Sequence, residues 1–371
     1  MSEAAPPSSE GRVQRAADRA DPRAYAALDL GTNNCRLLIA SPTARGFRVL
    51  EAFSRIVRLG DGLAHTGRLD NAAMDRALAA LKICADRIRR RGAPHVRAVA
   101  TQACRTAENG PDFVARVETE TGLKLRIITP QEEARLSVAG CVALLDRECD
   151  AALVVDVGGG STELSWIDLG QLSFDPDRRP PHPARLPIRA WLSIPIGVVT
   201  LADRFPEQAE GREGWFRAMV EEVKAAISSF DRAEDLRPSF AAGRAHLVGT
   251  SGAITSLAGL HLELKHYDRA RVDGLWMTRE DCDVVAARLM DLSPRERAAQ
   301  PCIGPDRADL VLAGAAILQA VQELWPCTRV RVGDRGLREG LLMSLMARPP
   351  RRRRRTRGKA PERGGSESPV T

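Results

Sequence analysis

The sequence is short of lysine and tyrosine, with five Lys and two Tyr in 371 residues. Fifty of its 55 basic residues are therefore Arg, a bias that weakens any functional reading of one Arg. Its eight Cys (35, 84, 104, 141, 149, 282, 302, 327) are never closer than eight residues, so no C-x-x-C metal or redox motif exists. The six His form no H-E-x-x-H pair, and His261 and His266 are five apart, the wrong spacing for one helix face. These absences argue against zinc chemistry. Neither G-x-x-x-x-G-K-[ST] nor G-x-G-x-x-G occurs, which removes Walker-type and dinucleotide readings. No run approaches about 18 uninterrupted apolar residues, so no membrane-spanning helix is expected. The first 23 residues lack the apolar core of a secretory signal and read as a disordered extension. With no export signal, reduced cysteines and a cytoplasmic location are expected.

The net charge of +7 is local. From Arg348 to Thr371 there are nine Lys/Arg and two Glu, so residues 1–347 are neutral in sum. This Pro/Arg/Gly/Ser-rich tail reads as disordered. Its run Arg351–Arg355 has the charge for weak contact with nucleic-acid phosphates, but no interleaved aromatics, and a solvated tail is the simpler reading.

Between these ends, strands and helices alternate. Residues 25–30 and 36–40 read as strands around a tight turn, and Phe47–Phe53 as a third. Residues 71–91 carry Met74, Ala77, Leu78, Leu81, Cys84, Ala85 and Ile88 at helical spacing, which makes Cys84 a small buried hydrophobe. A strand is expected at His95–Ala100, a helix at Pro111–Thr121 and a strand at Leu125–Ile128. Thr129 as N-cap, Pro130 at the first helical position and Glu132 as capping-box partner start a helix expected to run to about Leu145. Residues 151–157 and 163–168 repeat the strand–turn–strand pattern. Residues 170–189 hold five Pro and read as a long loop. Further strands are expected at 191–194, 245–248 and 329–332, and helices around 215–230, 310–324 and 337–346. This is an α/β pattern. The repeated unit implies two related lobes, 24–128 and 129–347, with a ligand cleft between them.

The chemistry concentrates in the two turns. In Asp29-Leu30-Gly31-Thr32-Asn33-Asn34 and in Asp156-Val157-Gly158-Gly159-Gly160-Ser161-Thr162-Glu163, an apolar strand delivers an Asp to a Gly-rich turn. Successive exposed amides there form an anion-binding hollow, and the Asp can hold a divalent cation. An ordinary hairpin turn explains the first unit equally well. Three consecutive Gly make that reading weaker for the second. Glu133, one turn into its helix, has no capping duty. A carboxylate beside a bound phosphoryl group can orient a water and take its proton. A solvated Glu favoured by the helix dipole is the plain alternative. Arg105 follows the strand ending at Ala100 and is placed to contact a phosphate oxygen, or to lie on the surface. The Gly249-Thr250-Ser251-Gly252-Ala253 loop follows a strand and can touch substrate. It is not a G-x-S-x-G nucleophile elbow, and no Ser-His-Asp set appears.

Together, A-L-D-L-G-T-N-N, A-T-Q-A-C-R, E-E-A-R-L, V-V-D-V-G-G-G-S-T-E-L, S-I-P-I-G-V-V-T-L, V-G-T-S-G-A and D-R-G-L-R-E-G-L-L resemble the exopolyphosphatase / guanosine-pentaphosphate phosphatase (Ppx/GppA) family over roughly residues 24–346. The resemblance implies two actin-like (ribonuclease-H-like, ASKHA-type) lobes with an interlobe cleft, and Mg²⁺-dependent hydrolysis of phosphoanhydride bonds. By matching position, it makes Glu133 the water-activating residue and Arg105 a substrate Arg. Asp156 and Glu163 become the metal-linked acids. Asp29, Gly31, Thr32 and Asn33, with Gly158, Gly159, Gly160 and Ser161, become the phosphate loops. Thr32 and Asn34 stand where the family usually has Ser, which keeps hydrogen-bonding side chains in place. The chain resembles the short two-lobe members, and its final helix is expected to pack back on the first lobe. The expected substrate is inorganic polyphosphate, with pppGpp as the alternative. A (p)ppGpp- or polyphosphate-binding regulator and a kinase of the same superfamily remain open. A homodimer is expected only by analogy.

Overall fold

The first strand shows how the fold is laid down. The computed structural model describes residues 22–44, 46–172, 183–208, 210–230 and 232–347. In β1 (Tyr25–Leu30) alternate side chains go to opposite faces: Leu28 and Leu30 join one buried cluster, Ala27 another. The next strand, β2 (Asn34–Thr43), alternates likewise, with Leu37 and Ile39 on one face and Leu38 and Ala40 on the other. Both faces must therefore be covered. The Asn71–Arg90 helix covers the first, with Met74, Ala77, Leu81, Cys84 and Ile88 facing inward. Its start is fixed by Asp70, whose carboxylate accepts the Ala73 amide. The other face is covered by Leu341, Leu342 and Met346 of the last helix, Leu337–Met346.

With β3 (Gly46–Ile56), β4 (His95–Ala100) and β5 (Leu125–Ile127), these strands make a sheet of order β3-β2-β1-β4-β5. The β1–β2 and β2–β3 pairs are antiparallel, and β1–β4 and β4–β5 are parallel. The second sheet, from β6 (Ala151–Val157), β7 (Thr162–Asp168), β8 (Ile188–Ile194), β9 (Ala245–Thr250), β10 (Trp276–Thr278) and β11 (Arg329–Gly333), has order β10-β11-β9-β6-β7-β8. Without its short edge strand β10, the order and strand senses repeat those of the first sheet. The duplication reaches the turns: Gly31 N donates to Asn34 O at 2.9 Å, and Gly158 N to Ser161 O at 2.9 Å. This is the actin-like α/β architecture, two ribonuclease-H-like sheets facing a cleft.

The second sheet is also covered on both faces. Val311–Leu324 and Arg212–Ile227 pack on the Leu153/Val155 side, and Val138, Ala139 and Val142 on the Ala152/Val154 side. The Pro130–Cys141 helix therefore serves both lobes, since its Leu136 sits in the cluster of the first sheet. It crosses Leu337–Met346 closely enough that only glycine fits. A Cβ on Gly340 would stand 1.9 Å from Leu136 O, and one on Gly140 would stand 2.0 Å from Gly336 O. This crossing fixes the helix that bears Glu133 between the lobes.

Several expectations need correcting. The helix starting at Pro130 turns 3₁₀ after Cys141 and ends at Leu144, close to the expected Leu145 but not α-helical throughout. The capping box is one-sided. Thr129 Oγ1 accepts the Glu132 amide at 3.2 Å, while the Glu132 carboxylate is taken by Arg97 and Arg126. Helices at Val198–Arg204, Gly252–His261 and Arg279–Asp291 were not expected. In the expected 170–189 loop, residues 173–182 lie outside the described residues, as do the N-terminal extension and the Arg-rich tail. No helix among the described residues is long and apolar enough to cross a membrane.

Candidate active site

Both Gly-rich turns open onto one cavity between the lobes. Asp29, Gly31, Thr32 and Asn33 line it from the first lobe, and Asp156, Gly158, Gly159, Gly160, Ser161 and Glu163 from the second. The turns nearly touch: a Cβ on Gly159 would be 3.1 Å from the Asn33 amide, and one on Gly160 would be 2.6 Å from Thr32 Oγ1. The absent side chains leave room for this approach. The second turn is backed by the Val198–Arg204 helix, whose Val198 and Val199 amides donate to Gly158 O and Gly159 O at 2.9 and 2.8 Å. Its carbonyls are thus spent on protein while its glycines line the cavity. In the first turn, Thr32 Oγ1, Asn33 Oδ1 and Asn34 Oδ1 are buried with no partner. Such atoms suit the polar groups of a ligand. The hairpin reading and the ligand reading thus describe the same turns.

Glu133 lines this cavity and is 8% exposed. Arg105 donates to it, Nη1 to Oε2 at 3.0 Å, and also to Ile128 O at 2.8 Å and Gln102 Oε1 at 2.5 Å. Burial, and then the nearby Glu163, push the Glu133 carboxyl well above its usual range, and Arg105 opposes them. Arg105 itself does not line the cavity. In this structure its guanidinium faces the carboxylate of Glu133.

The other acids are strained in the same sense. Burial raises Asp29 to about 6, against the pull of Arg36 and Arg338. Burial and then Asp156 raise Glu163 to about 7, against hydrogen bonds from Ser161 and Ser193. Burial also raises Asp156, opposed by the Ser137 hydroxyl and by Arg36. Asp156 lies directly opposite Glu163 in the β6–β7 pair, as Asp29 lies opposite Arg36 in β1–β2. Asp29 Oδ1 is buried without a partner. Carboxylates crowded in this way lack positive charge. Among the described residues no three or more His, Cys, Asp or Glu are gathered as a ready-made metal cage. Mg²⁺ needs none, because it keeps waters and binds through one or two carboxylates plus phosphate oxygens.

Comparison with known proteins identifies the family. Residues 38–349 match the Ppx/GppA phosphatase family. The chain belongs to that family. Exopolyphosphatase 2 of Mycobacterium tuberculosis (strain ATCC 25618 / H37Rv) is 31% identical over 337 residues, covering 86% of this chain and 98% of that protein. An Aquifex aeolicus member of the Ppx/GppA family superposes with a TM-score of 0.67 at 28% identity, over 86% of this chain and 96% of its own. An exopolyphosphatase from Cytophaga hutchinsonii shares the fold, with a TM-score of 0.74 at 24% identity, over 87% of this chain and 97% of its own.

Thr250 and Ser251 of the 249–253 loop line the cavity, as expected of a loop that touches substrate. Arg36, Gln102, Asp334, Arg338 and Glu339, given no role in the sequence, line it as well. Ser251 heads the Gly252–His261 helix with φ +92°, a conformation rare outside glycine. It brings the positive end of that helix to the cavity wall. Arg36 was findable: it is one pleat past Asn34 in β2, and a two-residue period puts both on the Asp29 side of the hairpin.

Proposed function

We propose that the protein is an exopolyphosphatase, a Mg²⁺-assisted hydrolase that removes terminal phosphate from inorganic polyphosphate. The observation that carries this reading is the placement of Glu133, buried at the start of its helix and sharing one cavity with both glycine turns. Membership of the Ppx/GppA phosphatase family and likeness to exopolyphosphatase 2 support it.

The Gly158–Ser161 and Gly31–Asn33 turns hold the terminal phosphate through backbone amides and small polar side chains. Glu133 orients a water and accepts its proton as the water oxygen bonds to phosphorus. The bridging P–O bond breaks and its electron pair leaves with the shortened chain. Arg36 and Arg338, on the same cavity, supply positive charge for that polyanion. Arg105 favours the ionised, proton-accepting form of Glu133 against the effect of burial. The donor set fits Mg²⁺: Asp156 and Glu163 would hold it, with Asp29 beside them. When bound, the cation offsets phosphate charge and polarises a phosphoryl oxygen. The Arg-rich tail and a second subunit have no part in this reading.

Orthophosphate release from inorganic polyphosphate and from pppGpp, measured side by side with Mg²⁺ and with a chelator, tests the proposal. Mg²⁺-dependent release from polyphosphate is expected. Release from pppGpp alone would replace the substrate, and release from neither would refute the reading.

A further inference from the structure

Residues 57–60 form a shelf under the first glycine turn. The amides of Val57 and Arg58 donate to Asn33 O at 2.8 and 3.1 Å, and Gly60 N donates to Thr32 O at 2.9 Å. The fit is so close that a Cβ on Gly60 would stand 2.2 Å from Thr32 Cγ2. Arg58 takes a left-handed φ of 46°, uncommon for a residue with a side chain.

Its guanidinium forks across to the other lobe. Nη1 donates to Asp309 Oδ2 at 2.9 Å, and Nη2 to Asp309 Oδ1 at 3.0 Å. Nη2 also reaches Asp306 O at 3.1 Å. Asp309 lies just before the Val311–Leu324 helix that packs on the second sheet. In the same segment, Arg307 donates to Ser256 Oγ at 3.3 Å, on the helix whose N-cap Ser251 lines the cavity. The lobes are joined at one end by the crossing of Pro130–Cys141 with Leu337–Met346. The Arg58 fork is a second tie, anchored directly to the turn that carries Thr32 and Asn33.

We propose that Arg58 is a positioning residue for the hydrolysis, which by forking Asp309 holds the first glycine turn at working distance from the second. This rests on the reading given under Proposed function. The ionic fork is bidentate, which adds geometric specificity, but it is partly exposed, with side chains 33% and 51% accessible. A pair at that exposure biases a closed arrangement and does not lock it. Loss of the fork therefore weakens substrate retention and leaves the proton-transfer machinery intact.

The test uses the full chain with Arg58→Asp, Asp309→Arg and the double exchange. Two readouts are taken: KM and kcat for inorganic polyphosphate, and hydrogen exchange of the amides of residues 31–34 without substrate. Each single variant is expected to raise KM roughly fivefold, with kcat within about twofold, and to speed amide exchange in the turn. The double exchange restores both. Single variants that change neither readout would overturn the proposal, as would a folded double variant that restores neither. If the wild type hydrolyses no polyphosphate, the function reading falls, and the exchange data decide the fork on their own.

Discussion

Arg105 donates to Glu133 at 3.0 Å, so the cation that the family resemblance assigns to substrate is hydrogen-bonded to the carboxylate proposed as the base. Arg105 therefore opposes the burial that raises the Glu133 pKa and favours its ionised form. Its removal leaves burial and Glu163 unopposed, and the Glu133 pKa rises further. Arg105→Ala is expected to move the acid limb of the kcat–pH profile to higher pH. Activity lost at neutral pH then returns in part under alkaline conditions. A uniform drop at every pH would show that Arg105 acts on substrate instead.

The raised carboxyls make a stability prediction with a definite sign. Asp29, at about 6, and Glu163, at about 7, both lie above their unfolded values, so the native state binds more protons than the unfolded chain. Their contribution is complete below pH 4 and is lost as pH rises through 6 to 7. Carboxyls shifted the other way act elsewhere: Glu323 is pushed up by burial, yet Arg217, Gln319 and Lys224 hold it at about 2, so its effect appears only in acid. Chelator-treated protein should show a higher thermal midpoint at pH 5.5 than at pH 8. Added Mg²⁺ should raise the midpoint more at pH 8. An unchanged difference with Mg²⁺ would argue against a cation at these acids.

The helix crossing makes a packing prediction. Gly340→Ala sets a Cβ against Leu136 O, and the helices must part, at a cost of about 1–3 kcal/mol or more. Gly214→Ala, in the Arg212–Ile227 helix, meets nothing within 4 Å and should gain about 0.5–1 kcal/mol from helix propensity. Denaturant midpoints of the two variants should move in opposite directions.

Gly160→Ala tests the approach of the two turns. Its Cβ would fall 2.6 Å from Thr32 Oγ1 and 2.9 Å from Gln102 Cγ. Phosphate release should drop at least tenfold, about 1.4 kcal/mol in the barrier, with little change in thermal midpoint. Equal loss of stability and activity would assign Gly160 a purely structural role.

What the sequence discloses here follows the range of the interactions. The two turns and the start of the Pro130 helix are built from neighbours in the chain, so their residues can be read directly. The strand pattern of both sheets is legible for the same reason. Arg36 requires the β1–β2 register. Arg338 and Glu339 reach the cavity only because Gly336 and Gly340 let the last helix lie against Pro130–Cys141. The partner of Arg105 is 28 residues away, and an Arg-rich composition hides which Arg is paired. The Arg279–Asp291 helix carries a Thr278/Asp281 capping box and the spacing Cys282, Val285, Ala286, Leu289. It was readable, yet its many charges masked the apolar face.

The most direct test is the turnover of Glu133→Gln on inorganic polyphosphate in Mg²⁺, with equilibrium binding of tripolyphosphate to the same variant. The account predicts a folded protein that binds as the wild type does and releases phosphate about 10²–10⁴-fold more slowly. Release at the wild-type rate would contradict it.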